Sequence, residues 1–215
     1  MVTRALETRA RIVRDAASVF GTRGFFGTSM SDLLSATGLQ KGGLYNHFGS
    51  KEQLALEAFD YAVNLITGRY TEAFAKTDSE LGRLLAIVDV FSTLIDDPVL
   101  PGGCPILNAA IESDDLLPVL RERAQQAMTR SLRLIGSTVK AAVDAGELRA
   151  DVDPRQLATV VTATLEGAVM LSKLYGDPSY MHRAVDHVTA HIRSFATAPA
   201  AAPPRVRRTG KKAAR

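Results

Sequence analysis

Cysteine, tryptophan and aromatic residues are scarce in this chain: its 215 residues include one cysteine, no tryptophan and 6% aromatics. A single thiol, Cys104, excludes an intrachain disulfide framework and predicts a reducing, cytoplasmic setting. No apolar run approaches the roughly 18 to 20 residues that a membrane span needs, so no membrane partner is expected. The N-terminus passes straight into a charged helical pattern, which predicts no export leader. Also missing are a glycine-rich phosphate loop between strand and helix, a nucleophile elbow and a zinc-type ligand spacing. His187 and His191 lie at i and i+4 but have no obvious third ligand, so no metal, no cofactor and no enzymatic activity is expected. Sustained strand alternation is absent as well, which predicts an all-α fold.

What is present is helical periodicity and an uneven distribution of charge. The formal net charge of +3 divides into seven Lys/Arg against four Asp/Glu in residues 1–52, 13 against 19 in residues 53–204, and six against none in residues 205–215. Basic ends around an acidic middle suggest that the termini meet a polyanion. Ile12, Ala16, Val19 and Phe20 define a first amphipathic helix over about 4–21, ended near Gly24. A second short helix, capped by Ser29 or Ser31, carries Met30, Leu33 and Leu34 inward and closes at Gly38; a third spans about 41–48. Longer helices follow over about 51–75, 79–95, 105–113, 118–145, 154–175 and 178–195, with Phe91, Met128, Leu132 and Met170 expected in the core. The predicted organisation is a three-helix helix-turn-helix domain over 1–50, a helical ligand-binding and dimerisation domain over 51–196, and a disordered basic tail over 197–215 rich in Ala, Pro, Arg and Lys.

Two short helices joined by a glycine-centred turn and braced by an earlier helix outline a DNA-reading unit. In the third helix, Leu44 and Phe48 are four residues apart and predict a buried face, leaving Lys41, Gly42, Gly43, Tyr45, Asn46 and His47 toward solvent. Lys41 suits a phosphate or guanine, Tyr45 joins a flat ring to a hydroxyl, and Asn46 pairs with an adenine edge or a phosphate. Missing side chains at Gly42 and Gly43 would let the backbone approach a duplex closely. At the flanks, the hydroxyls of Thr28 and Ser29 and the ammonium of Lys51 are expected to clamp phosphates. For sensing, Cys104 sits at a predicted helix N-terminus, where exposed amides favour a thiolate. Lys173 is its expected charge partner, and Asn108 and Glu112 on the same helix face are candidates for a ligand pocket.

Over residues 8–54 the chain resembles the TetR/AcrR family of bacterial regulators. Phe20, Gly24, Thr28, the Gly38 turn, Lys41-Gly42, Leu44-Tyr45, Phe48 and Ser50-Lys51 match that family's pattern in order and spacing. Gln40, Gly43 and Leu34 depart from it. The resemblance implies a homodimer formed by the last two helices, about 154–175 and 178–195, and double-stranded, near-palindromic operator DNA as partner. It also implies a small-molecule inducer, whose binding to the C-terminal domain releases the DNA. A non-specific architectural DNA binder, favoured by the basic tail, and a redox- or electrophile-sensing repressor acting through Cys104 are the competing readings.

Overall fold

The computed structural model describes residues 2–113 and 117–197. Within them the chain forms α1 (Val2–Gly27), α2 (Met30–Thr37), α3 (Lys41–Tyr45), α4 (Lys51–Phe74), α5 (Glu80–Asp96), α6 (Pro105–Glu112), α7 (Pro118–Asp144), α8 (Pro154–Tyr175) and α9 (Ser179–Ser194). The only strand-like pairing among the described residues is an isolated bridge between Leu148 and Ala196. The basic stretch 198–215 lies outside the described residues.

Local chemistry accounts for most of the boundaries. Ser29 caps α2 by accepting from the Asp32 amide, and the Asp32 carboxylate accepts in return from the Ser29 amide, a reciprocal box that satisfies two otherwise orphan donors. Ser50, Ser79 and Asp153 cap α4, α5 and α8 with side-chain oxygens. Two expectations need correction. The third helix ends at Tyr45 and does not reach residue 48, because the chain passes through a turn at Asn46 and His47 that returns Phe48 to the core. The first helix extends to Gly27, but it is broken at Gly24, whose φ of 72° and ψ of 174° are closed to ordinary helical residues.

Two layers of apolar packing result. A small core of Ile12, Ala16, Leu33, Leu44, Phe48, Leu54 and Ala58 ties α1, α2 and α3 to the first turns of α4. A larger one, including Leu84, Ile87, Ile135, Val139, Leu165 and Ile192, joins α5, α7, α8 and α9. Because α4 contributes to both, it runs as one rod from the small domain into the large one.

Helix α8 overturns the expectation about apolar runs: over Pro154–Tyr175 it is long and apolar enough to cross a membrane by length and composition. Its inner face, Val161, Leu165 and Val169, is buried in the large core. Its outer face leaves Val160, Met170, Leu174 and Tyr175 exposed, Leu174 by 70%. Met170, expected inside, therefore lies outside, because an α-helix turns it 100° away from Val169.

Candidate nucleic-acid interface and sensing cavity

In α3 and the turn that follows it the side chains divide cleanly. Leu44 and Phe48 are buried against α1 and α4, while Lys41, Gly42, Tyr45 and Asn46 face outward. Tyr45 is 42% exposed, with its ring presented at the surface. A side chain added at Gly42 would meet nothing, whereas Gly43 is half-buried against Leu39. His47 is half-buried beside the Phe48 ring. Gln40, at the cap position of α3, makes no side-chain capping bond.

The three flanking residues differ in availability. Ser29 is exposed, but its hydroxyl is bonded to Asp32 and Ser31. Asp32 is held below the usual carboxylate range by these bonds from Ser29, side chain and backbone, with Arg23 adding an ion pair at 2.6 Å. Thr28 is 1% exposed and donates to the Gly24 carbonyl at 2.5 Å, so its side chain is turned away from any duplex. Lys51 places its ammonium 4.2 Å from the centre of the Phe25 ring, where burial lowers its pKa against the opposing influence of Glu112. Thr28 therefore braces the small domain, and Lys51 rests half-buried on the Phe25 ring.

Of the four candidate sensing residues, Asn108 and Glu112 line one cavity between α1, α4 and α6, with Lys173 bonded to Asn108, whereas Cys104 faces a different cavity. Cys104 is 4% exposed at the N-terminus of α6, and its thiol donates to Glu166 Oε1 on α8 at 3.0 Å. Burial, reinforced by the Glu166 carboxylate, pushes this thiol well above the ordinary cysteine range, so the expected thiolate does not form. Desolvation outweighs the helix N-terminus here. Lys173 is not its charge partner: the ammonium bonds to the Gly102 carbonyl at 2.5 Å and to Asn108 Oδ1 at 3.1 Å. Asn108 also donates to the Gly102 carbonyl at 2.8 Å, closing the turn before α6.

Glu112 stands at the opposite end of α6 and reaches the small domain. Its Oε2 accepts from the Phe25 amide at 2.6 Å, beside the break at Gly24, where any side chain would collide with the Glu112 carboxylate. The turn before α6 makes a second contact with α1, since Gly102 packs so closely on the Gly21 backbone that neither position has room for a Cβ. Helix α6 is thus a strut between α1 and the large domain.

Behind its N-terminal end lies a cavity of about 240 Å³ between α4, α5, α7 and α8. Val63, Ile66, Phe91 and Leu134 supply apolar walls; Tyr70, Cys104, Glu166 and the half-buried Ser131 supply the polar groups of the interior, and the exposed Thr67 and Arg130 border it. Glu166 is 8% exposed, its Oε2 has no hydrogen-bond partner, and burial raises its pKa despite the Cys104 bond. Tyr70 is raised as well, by burial first and then by Cys104 and Glu166. The sequence reading missed Glu166 and Tyr70. Glu166 had a visible signal, a lone acid between Leu165 and Val169 on the stripe that faces the core.

A helix-turn-helix joined by one long helix to a hollow helical domain is matched by two family models that together span most of the chain. Residues 12–58 match the model for bacterial regulatory proteins of the tetR family, and residues 81–188 that for the tetracyclin repressor-like C-terminal domain. The chain belongs to the TetR family. An uncharacterised HTH-type transcriptional regulator of Mycobacterium tuberculosis is 30% identical over 79% of this chain and 86% of its own length. A TetR transcriptional regulator from Chloroflexus aurantiacus, solved as a crystal structure, is 42% identical, with a TM-score of 0.86 over 90% of this chain and 98% of that one. The TetR regulator CifR, in a cysteine-substituted form complexed with 26-bp operator DNA, shares the fold at 22% identity, with a TM-score of 0.76 over 84% of this chain and 94% of that one. As a TetR member, the chain is a transcriptional regulator with a DNA-binding N-terminal domain.

Proposed function

We propose that the protein is a homodimeric repressor, acting in the cytoplasm, that leaves a near-palindromic operator when a small molecule enters its C-terminal domain. The observation that carries the DNA-reading part is the division of α3 and the turn after it, with Leu44 and Phe48 locking them from behind and Lys41, Gly42, Tyr45 and Asn46 presented in front. In this reading those four residues, with Gly43 and His47 at their edge, enter the major groove. Ser29 and the α2 N-terminus lie on phosphate, while Thr28 braces the small domain and Lys51 rests on the Phe25 ring. Dimerisation through α8 and α9 is supported by the exposed face of Val160, Met170, Leu174 and Tyr175, which a second copy would cover. Two-fold symmetry would then set the recognition helices about 34–36 Å apart, one turn of duplex.

Sensing would work through α6. Ligand in the cavity displaces the N-terminal end of that helix, and the Glu112 carboxylate at its other end pulls on the Phe25 amide beside the α1 break. Coupling of this kind is typically about 1–3 kcal/mol. The stretch 205–215, with its six basic residues, would add sequence-independent attraction to phosphate.

The test is selection of operator sequences from genomic fragments, followed by salt-titrated binding to the selected and to random duplexes. Repression predicts a palindromic site bound roughly 10³-fold or more tighter than random DNA. Equal affinities would instead identify an architectural binder.

A further inference from the structure

We infer that the cavity between α4, α5, α7 and α8 takes an amphipathic molecule with an apolar body and a buried N–H or O–H donor, which bonds to Oε2 of Glu166. The walls at Val63, Ile66, Phe91 and Leu134 offer only dispersion and desolvation, so polar recognition falls to the few polar groups inside. Of the two Glu166 oxygens, Oε1 is already satisfied by the Cys104 thiol at 3.0 Å. Oε2 is buried and unpartnered while its residue lines the cavity. Leaving such an oxygen unpaired is costly, and a ligand donor removes that cost while an acceptor adds to it. Contact with Oε2 therefore favours a donor over an acceptor.

Both a neutral hydroxyl and an ammonium meet this requirement. Arg130 at the mouth carries no ion pair among the described residues and opposes a cation only through solvent. This inference names the ligand class for the sensing role proposed above, and it rests on that role only for its biological consequence.

Three probes of one ring size separate the possibilities: 2-naphthol, 2-(aminomethyl)naphthalene and 2-methoxynaphthalene, which accepts but cannot donate. Titration calorimetry on the full-length protein is expected to show at least one donor probe binding roughly ten-fold or more tighter than the methoxy compound. Glu166→Leu abolishes that preference. Glu166→Gln, nearly isosteric, has a single oxygen, which the Cys104 thiol engages, so its amide nitrogen takes the Oε2 position and the donor preference is lost or reversed. Circular dichroism and operator binding verify that both variants are folded. Equal binding of the methoxy compound, no binding by any probe, or a donor preference that survives Glu166→Leu overturns the inference. Operator release is measured on the same samples. Glu166-dependent binding that leaves the protein on DNA supports the inference and counts against ligand-driven release instead.

Discussion

At the scale of single residues, burial decides chemistry more firmly than sequence position. Cys104 occupies a helix N-terminus that would favour a thiolate in water, yet desolvation and the Glu166 carboxylate keep it protonated. Its alkylation by iodoacetamide is expected to stay slow at neutral pH and to climb only above the ordinary thiol range; a rate at pH 7 equal to that of free cysteine would contradict this. Glu166 makes the complementary prediction. In the unfolded chain it ionises near the ordinary 4.5, whereas burial raises this in the folded protein. Its protonated form thus contributes stability that is complete below about 4.5 and is lost as pH rises through the folded value. Glu166→Gln removes that loss, so thermal unfolding of the variant should gain on the wild type as pH rises above about 4.5. On α3, Tyr45→Ala is expected to cost roughly 1–3 kcal/mol in operator affinity, and Lys41→Ala to reduce the salt slope of binding by about one.

At the scale of elements, α6 matters most, because its two ends belong to different domains. A carboxylate at the last residue of a helix faces the negative end of the dipole, an arrangement that costs about 0.3–1 kcal/mol unless something offsets it. The Phe25 amide and the nearby Lys51 ammonium supply the offset. Glu112→Ala should therefore speed hydrogen exchange at the Phe25 amide roughly ten-fold or more, as expected for loss of a charge-assisted bond. Unchanged protection would mean that this end of α6 is not anchored through Glu112. Gly24→Ala forces a side chain into left-handed backbone and into the Glu112 carboxylate, and should lower the unfolding free energy by at least about 1–2 kcal/mol. Most helix positions were readable beforehand, because capping and apolar spacing act within a few residues. The end of α3 was not: the return of Phe48 to the core depends on α1 and α4, which lie outside any local window.

For the whole molecule, the exposed face of α8 is the feature that calls for a partner. Placing a charge within it, as in Met170→Glu with Leu174→Glu, should leave the buried stripe of Val161, Leu165 and Val169 intact and produce a monomer in sedimentation experiments. The same variant should bind a half-site about as well as a full palindrome. A variant that remains dimeric would move the interface elsewhere.

The amino-acid sequence by itself determined the helical class, the reading unit around residues 28–51 and the division of α3 into a buried and a presented face. These depend on periodicity and on caps, which are properties of neighbouring residues. Only the tertiary structure decided what Cys104, Glu112, Lys173 and Lys51 do. Their partners, Glu166, the Phe25 amide, the Gly102 carbonyl and the Phe25 ring, lie between 26 and 87 residues away along the chain. The physical reason is that a buried polar group bonds to whatever the packing brings within about 3 Å, and sequence spacing carries no measure of that distance.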